Sequence, residues 1–238
     1  MQFQRDLIHN TDWKTLIILD ACRFDYFKET VSEEEYNFAY EPVWSAGSDT
    51  GRWYENTWYD RSYKNTVLVS DSPVPWRKDW QKHHEKFHKS YPLWKERGQT
   101  LNTFLPLKDV ILKANKLKVL HKNKRMLIHL IPPHLPYYTD KAMNWLIKQF
   151  GETTLGDGRL YNNVQTYGVE HGWGKLKQYY KDNIKAALNE ILKHNWGINT
   201  VITSDHGELI GENNRYTHSL GYLSESPVLR TVPWVTLS

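Results

Sequence analysis

Residues 200–208 read TVITSDHGE. Four β-branched or apolar residues break abruptly into Ser204, Asp205, His206, Gly207 and Glu208. A run this short, apolar on both faces, is the signature of a central strand in a parallel sheet. The polar cluster just past its carboxyl end sits where an open α/β sheet keeps its chemistry. Three further runs read the same way. Residues 15–19 (TLIIL) end at Asp20, 66–69 (TVLV) lead to Asp71, and 126–131 (MLIHLI) open onto Pro132-Pro133-His134. Residues 36–40 are a weaker strand candidate.

A helix is predicted between the last two strong strands, at about 174–195. Leu176, Tyr180, Ile184, Ala187, Leu188 and Ile191 recur at helical spacing, with Lys and Asp on the other face. Asn195-Trp196-Gly197 supplies a stop, with Gly where a left-handed residue is needed. Residues 141–150 predict a shorter helix. Residues 151–174 carry six of the 13 glycines and read as a long ordered loop. Strand, helix and strand in this order make a parallel crossover, so the fold class is α/β.

At 238 residues the chain fits a single domain with a sizeable core, and its composition excludes collagen-like, disordered and low-complexity classes. One cysteine, Cys22, excludes an intrachain disulfide framework. No apolar run approaches the ~18 residues of a membrane span, and residues 1–14 lack the apolar segment of a signal peptide. The expected location is cytoplasmic. The net charge of +4 hides an asymmetry. Residues 72–125 hold 14 Lys and Arg against 4 Asp and Glu, while the remainder is acidic. A basic insertion at 72–125 points to an anionic partner or substrate, or to a solvated face.

Adjacent Asp205 and His206 supply an oxygen and an imidazole at a strand end, a common way to hold a divalent metal; the same residues also suit a helix cap beside a polar turn. Asp20, at the end of another buried strand, is costly unless paired, metal-bound or capping the next turn. His134 leaves the sheet between prolines that stiffen its loop, as an oxyanion donor or as a plain loop residue. His218 alone reads as a surface histidine.

Four segments then carry a resemblance. VITSDHGELIGENNRYTHS with VPW at 232–234, LIILDACRFD, LIHLIPPHLPY and YYKDNIKAALNEILKHNWG are similar, in this order, to the motifs of the alkaline phosphatase/sulfatase superfamily. The nearest look is to compact archaeal and viral sulfatase-like proteins with a DACRxD opening. The resemblance implies a minimal three-layer α/β/α fold with a mostly parallel sheet. It implies a nucleophile at a helix N-terminus after the second strand, which aligns with Thr50, or with Ser48 as second choice. It implies one divalent metal held by Asp20, Thr50, Asp205 and His206, with Zn or Mn favoured over Mg or Ca by the imidazole. His134 and His218 then face the substrate, one of them a candidate general acid, and Glu208 orients His206 or a neighbouring donor. Arg23 and Arg52 are candidates for clamping a phosphate, or are surface ion pairs.

Cys22 lies outside the C/S-x-P/A-x-R context from which sulfatases make formylglycine, and reads as a buried structural thiol. An unmodified Thr nucleophile favours phosphoryl or phosphonyl transfer. The expected function is therefore a metal-dependent phosphoester hydrolase or transferase with a covalent phospho-threonine intermediate. Its substrate would be an anionic ester such as a lipid headgroup or surface polymer. A sulfuric ester hydrolase is a second reading. A third is a non-catalytic module binding polyanions or lipid headgroups through Trp76, Trp80, Phe87, Tyr91 and Trp94 among the basic residues. No nucleic-acid-binding motif accompanies them.

Overall fold

The computed structural model describes residues 1–58, 62–77, 82–96, 100–103, 105–153, 158–218 and 224–237. In chain order its elements begin with β1 (Gln2–Phe3), α1 (Gln4–Asn10), β2 (Thr15–Leu19), α2 (Phe24–Thr30), α3 (Glu33–Tyr36), β3 (Tyr40–Trp44), α4 (Thr50–Trp58) and β4 (Tyr63–Ser70). There follow β5 (Phe87–Pro92), α5 (Leu107–Leu120), β6 (Arg125–Leu130), α6 (Asp140–Phe150), α7 (Arg159–His171) and α8 (Gly174–Leu192). The last are β7 (Thr200–Ser204), β8 (Leu209–Ile210), β9 (Tyr216–Thr217), α9 (Pro227–Arg230) and β10 (Thr231–Leu237).

Eight strands form one sheet in the order β1-β3-β10-β7-β2-β6-β4-β5. All neighbours are parallel except β10, which runs antiparallel to β3 and β7. Period-two alternation sends successive side chains to opposite layers. Ile17, Leu19, Ile128, Leu130 and Ile202 pack with α2 and α5–α8. Leu16, Ile18, Leu127 and Val201 pack with Ile8 of α1 and with Trp53, Tyr54 and Trp58 of α4. The fold is thus three-layer α/β/α with a mostly parallel sheet, as expected.

The strands with continuous apolar runs lie where they were expected. Three segments differ. Residues 36–40 do not form a strand. Ser32 caps the Glu35 N–H, three glutamates open the short α3, and left-handed Asn37 ends it, so β3 begins only at Tyr40. Residues 151–174 are not one loop but contain α7, whose Leu160, Val164 and Gly168 are buried one turn apart. The glycines that suggested a loop mark its ends: Gly158 and Gly172 flank it with φ of 79° and 83°. The basic 72–125 stretch supplies edge strand β5 and covering helix α5 of the same sheet. Its aromatics pack on one another, with Trp76 stacked on His84 and 6.5 Å from Trp94; Trp80 lies outside the described residues.

β10 carries a proline although it is an interior strand. Pro233 is register partner to Pro42 of β3, so the two missing N–H donors fall at one rung. The Pro233 carbonyl takes the Thr203 hydroxyl instead, at 2.6 Å.

The turn from β3 into α4 is packed to contact. A Cβ on Gly47 would lie 2.3 Å from the Trp53 backbone nitrogen and 2.7 Å from its Cα. Both are rigid helix atoms. Gly47→Ala is expected to push α4 outward, destabilising by about 2 kcal/mol and lowering Tm by ~4–8 °C in a thermal melt. An unchanged melting temperature would show that α4 is not seated on this turn.

Candidate active site

The carboxyl ends of β2, β6 and β7 bring Asp20, His129 and Asp205 together, and the N-terminus of α4 faces them with Thr50. The Asp20 N–H donates to the Leu130 carbonyl at 2.9 Å, which ties the end of β2 to β6. Asp205 accepts the backbone N–H groups of Ala21 and His206 on Oδ1, at 3.0 and 2.9 Å. That leaves Oδ2 buried and without a hydrogen-bond partner, as is Asp20 Oδ1. Burial raises the Asp20 carboxyl's pKa, but the nearby His134, His129 and His206 outweigh it and hold the group well below the ordinary range.

His206 points into the same space. Its Nδ1 sits 2.8 Å from the Gly207 carbonyl, which can only accept, so Nδ1 carries the proton. With its one proton on Nδ1, the ring's neutral tautomer would present a bare Nε2. That nitrogen lies 3.6 Å from Asp20 Oδ1, 3.4 Å from Asp205 Oδ2 and 3.2 Å from Thr50 Oγ1. The residue after His206 must be small, because a Cβ on Gly207 would meet the Val228 carbonyl oxygen at 2.1 Å.

Thr50 is free for chemistry because its neighbour does the capping. Asp49 Oδ1 accepts the Arg52 N–H at 3.0 Å, three residues along, which makes Asp49 the N-cap and Thr50 the first helical residue. The Thr50 hydroxyl thus looks toward His206 rather than back at its own helix. Ser48 is also buried, but its hydroxyl lies against Arg52, at 3.3 Å.

A second group adjoins the first. Glu208 is fully buried and lies 3.1 Å from both His218 Nδ1 and the Tyr161 hydroxyl. Tyr161 also contacts His134 Nε2, whose ring is anchored by Nδ1 on the Leu135 carbonyl. Burial lowers the pKa of His218, but Glu208 outweighs it and pushes the group up to about 9. Burial lowers the pKa of His134, with His218 adding to the effect against Asp20 and Glu208. The His206 and His218 rings are 4.4 Å apart, and those of His134 and His218 5.3 Å. Both groups open onto a cleft of about 650 Å³ lined by Asp20, Thr50, His134, Tyr161, Arg215 and His218.

Not every residue expected at a site is there. Arg23 is buried, paired with Asp25 and Glu212 at 2.6 and 2.7 Å, and donates to the Glu208 carbonyl. It braces the loop after β7 and is not among the residues lining the cleft. Arg52 lies against Asp49 and Ser48 outside the cleft. Glu208 orients His218 and Tyr161, while Gly207 orients His206. His129 and Tyr161 escaped the sequence reading. The only mark of His129 was a lone histidine inside an apolar strand, with Tyr54 Oη 3.0 Å from its Nδ1 and its Nε2 3.4 and 3.5 Å from Asp20 and Asp205. Tyr161 lies on α7, within the segment read as a loop.

The donor set fits a divalent cation. Asp20 Oδ1, Asp205 Oδ2 and His129 Nε2 are all buried and unpartnered, and the ligand atoms of these three residues lie within 4.8 Å of one another. Two carboxylates this close and this buried are costly unless a proton or a cation lies between them; burial lowers the His129 pKa, but Asp20 and Asp205 outweigh it and raise it, and a metal ion would take the place of that proton. Two carboxylates, a hydroxyl and a bare imidazole nitrogen suit Zn or Mn. His134, Glu208 and His218 are equally close together, but each already has partners: Glu208 holds His218, and His134 lies between the Leu135 carbonyl and Tyr161.

No protein-family model matches the chain, and no curated protein does. Its fold does match solved structures. The soluble domain of lipooligosaccharide phosphoethanolamine transferase A from Neisseria meningitidis aligns with a TM-score of 0.57 at 15% identity, over 93% of this chain and 75% of that one. The integral membrane protein itself gives 0.58 at 14%, over 93% and 47%, so this chain spans about half of its length. The C-terminal periplasmic domain of EcEptC from Escherichia coli, in complex with Zn, gives 0.52 at 12%, over 93% and 71%. A protein in the alkaline phosphatase superfamily from Vibrio parahaemolyticus gives 0.50 at 10%, over 94% and 60%. The chain shares the fold of these structures, one of them a protein in the alkaline phosphatase superfamily. Among the described residues no helix is long and apolar enough to cross a membrane.

The geometry predicts a metal-dependent stability. Zinc at ~100 times its Kd should stabilise the chain by about 2.7 kcal/mol, raising Tm by ~5–10 °C. Asp205→Asn should abolish that rise without lowering the melting temperature of the metal-free protein, since it removes a repulsive charge. A full zinc response in the variant would mean that the cation is held elsewhere.

Proposed function

We propose that the chain is a metal-dependent phosphoester hydrolase or transferase with Thr50 as nucleophile. The observation that carries this reading is the Thr50 hydroxyl at the first position of α4, 3.2 Å from His206 Nε2, which itself lies 3.6 and 3.4 Å from the unpartnered oxygens Asp20 Oδ1 and Asp205 Oδ2. Two of the aligned structures are named as phosphoethanolamine transferases, and the Zn complex of a third agrees with the donor set. Asp20, Thr50, Asp205 and His206 would hold the metal. When bound, it would lower the hydroxyl pKa and offset the charge growing on the phosphate oxygens.

The chain's own groups supply the rest. Thr50 Oγ, its hydroxyl proton released to solvent beforehand, forms a bond to phosphorus as the bond to the leaving oxygen, on the opposite face, breaks. The N–H groups of the first turn of α4 point at the phosphate oxygens. His218, kept cationic by Glu208, gives its Nε2 proton to the leaving oxygen. Now neutral, it takes a proton from an incoming water or alcohol, whose oxygen bonds to phosphorus as the Thr50 ester opens. His134 and Tyr161 line the cleft beside this path and position the substrate's remaining oxygens. Water as acceptor makes the chain a hydrolase, and an alcohol makes it a transferase.

Thr50→Ala tests the nucleophile directly. Turnover of phosphomonoester and phosphodiester model substrates should fall by about 10³-fold or more; undiminished turnover, or activity confined to sulfate esters, would sink the assignment. His218→Asn tests the acid through the leaving group. Hydrolysis of alkyl phosphoesters should drop ~10²–10⁴-fold, while nitrophenyl esters, whose leaving group needs no proton, should change little. Equal losses on both would assign His218 to substrate binding.

A further inference from the structure

The opposite end of the sheet carries a second feature, unrelated to the cleft. The segments preceding β2, β6 and β7 meet the carboxyl end of α5 around a cleft of about 500 Å³. Its lining includes Lys14, Lys118, Lys122, Lys124 and Arg125 and no carboxylate. Lys14 pairs with Asp12 at 3.0 Å, and Arg125 is turned inward onto Trp13 and the Thr11 carbonyl. Lys118, Lys122 and Lys124 pair with no carboxylate among the described residues.

Apolar side chains stand out beside these cations. Val119, Leu120 and Ile198 are 69%, 70% and 74% exposed. Ile198 is not on a loose loop. The Gly197 N–H donates to Asn195 Oδ1 at 2.8 Å, the Thr200 hydroxyl to the Gly197 carbonyl at 2.9 Å, and the Lys14 N–H to the Asn199 carbonyl at 2.8 Å. A turn tied at three points presents a bare isoleucine at its tip, level with the exposed end of a helix.

We propose that this end of the sheet docks onto an anionic lipid bilayer. Lys118 and Lys122, together with Lys124, whose Nζ also donates to the Lys64 carbonyl at 3.2 Å, meet headgroup phosphates, and Val119, Leu120 and Ile198 enter the boundary between headgroups and acyl chains. Two other occupants fit less well. A nucleic acid would leave the exposed aliphatic tips unused and needs a stacking surface, whereas the ring in this cleft, Trp196, is only 3% exposed. A second copy in a two-fold pair would set this cationic face against itself. The proposal does not depend on the reading of the cleft at the other end of the sheet.

Flotation with phosphatidylcholine vesicles, with and without about 30% phosphatidylglycerol, tests it. The chain should float with the anionic vesicles, progressively less as salt rises, and not with the neutral ones. At about five-fold per lysine, the triple variant Lys118→Gln, Lys122→Gln, Lys124→Gln should bind ~100-fold more weakly. Leu120→Ser with Ile198→Ser should weaken binding about ten-fold while leaving its salt dependence in place. All these positions are on the surface, so circular dichroism and turnover of a soluble phosphoester should match the unaltered chain. Equal flotation with neutral vesicles, no flotation with anionic ones, or an unaffected lysine triple would overturn the proposal. So would retention on immobilised poly(dT) without flotation, which would assign the patch to a polymer.

Discussion

Two carboxylates, Asp20 and Asp205, are carried to one point by adjacent parallel strands and are almost wholly buried there. Their proximity is the constraint that the surrounding architecture serves. Asp205 is held by two backbone N–H groups on one oxygen, which turns the other toward Asp20. His206 is held by the next carbonyl, which turns a lone pair toward both. Each of these local bonds is ordinary, but together they aim unpaired acceptors at one small volume. Such an arrangement is costly in a protein core unless a proton, as on His129 between the two, or a cation closes it, and the Thr50 hydroxyl stands beside the same space.

The same economy separates the two histidines at the mouth of the cleft. Glu208 has two partners, His218 and Tyr161, and no exposure to water. It lifts the basicity of His218, whereas burial beside a cationic neighbour lowers that of His134. Similar side chains about 5 Å apart are thereby shifted in opposite directions, one toward the charged form and the other toward the neutral one. The division of labour at the head of α4 follows the same pattern: Asp49 satisfies the helix and leaves the threonine beside it uncommitted.

The sheet's middle was legible because β2, β4, β6 and β7 are buried on both faces and so read as unbroken apolar runs. Asp20, His134, Asp205 and His206 were legible because polarity returns abruptly where those runs end. Elements with weaker contrast were missed. β5 is an edge strand with exposed His88 and Lys89, and β10 carries a proline whose tolerance depends on a second proline across the ladder. α7 was hidden by glycines that mark its limits. His129 was hidden because a strand interior gives no sign that one of its side chains faces a carboxylate pair. For Arg23 the ion-pair alternative was open, but its sequence neighbours do not reveal its partner Glu212, 189 positions away.

β10 sits between β3 and β7, although it comes last among the described strands. Within the sheet, β3 and β1 reach the remaining strands only through it. A change in residues 231–237 is therefore felt on two sides at once: at β7, which carries Asp205, and at β3, whose end leads through Ser45, in contact with the Asp205 carbonyl, to the head of α4.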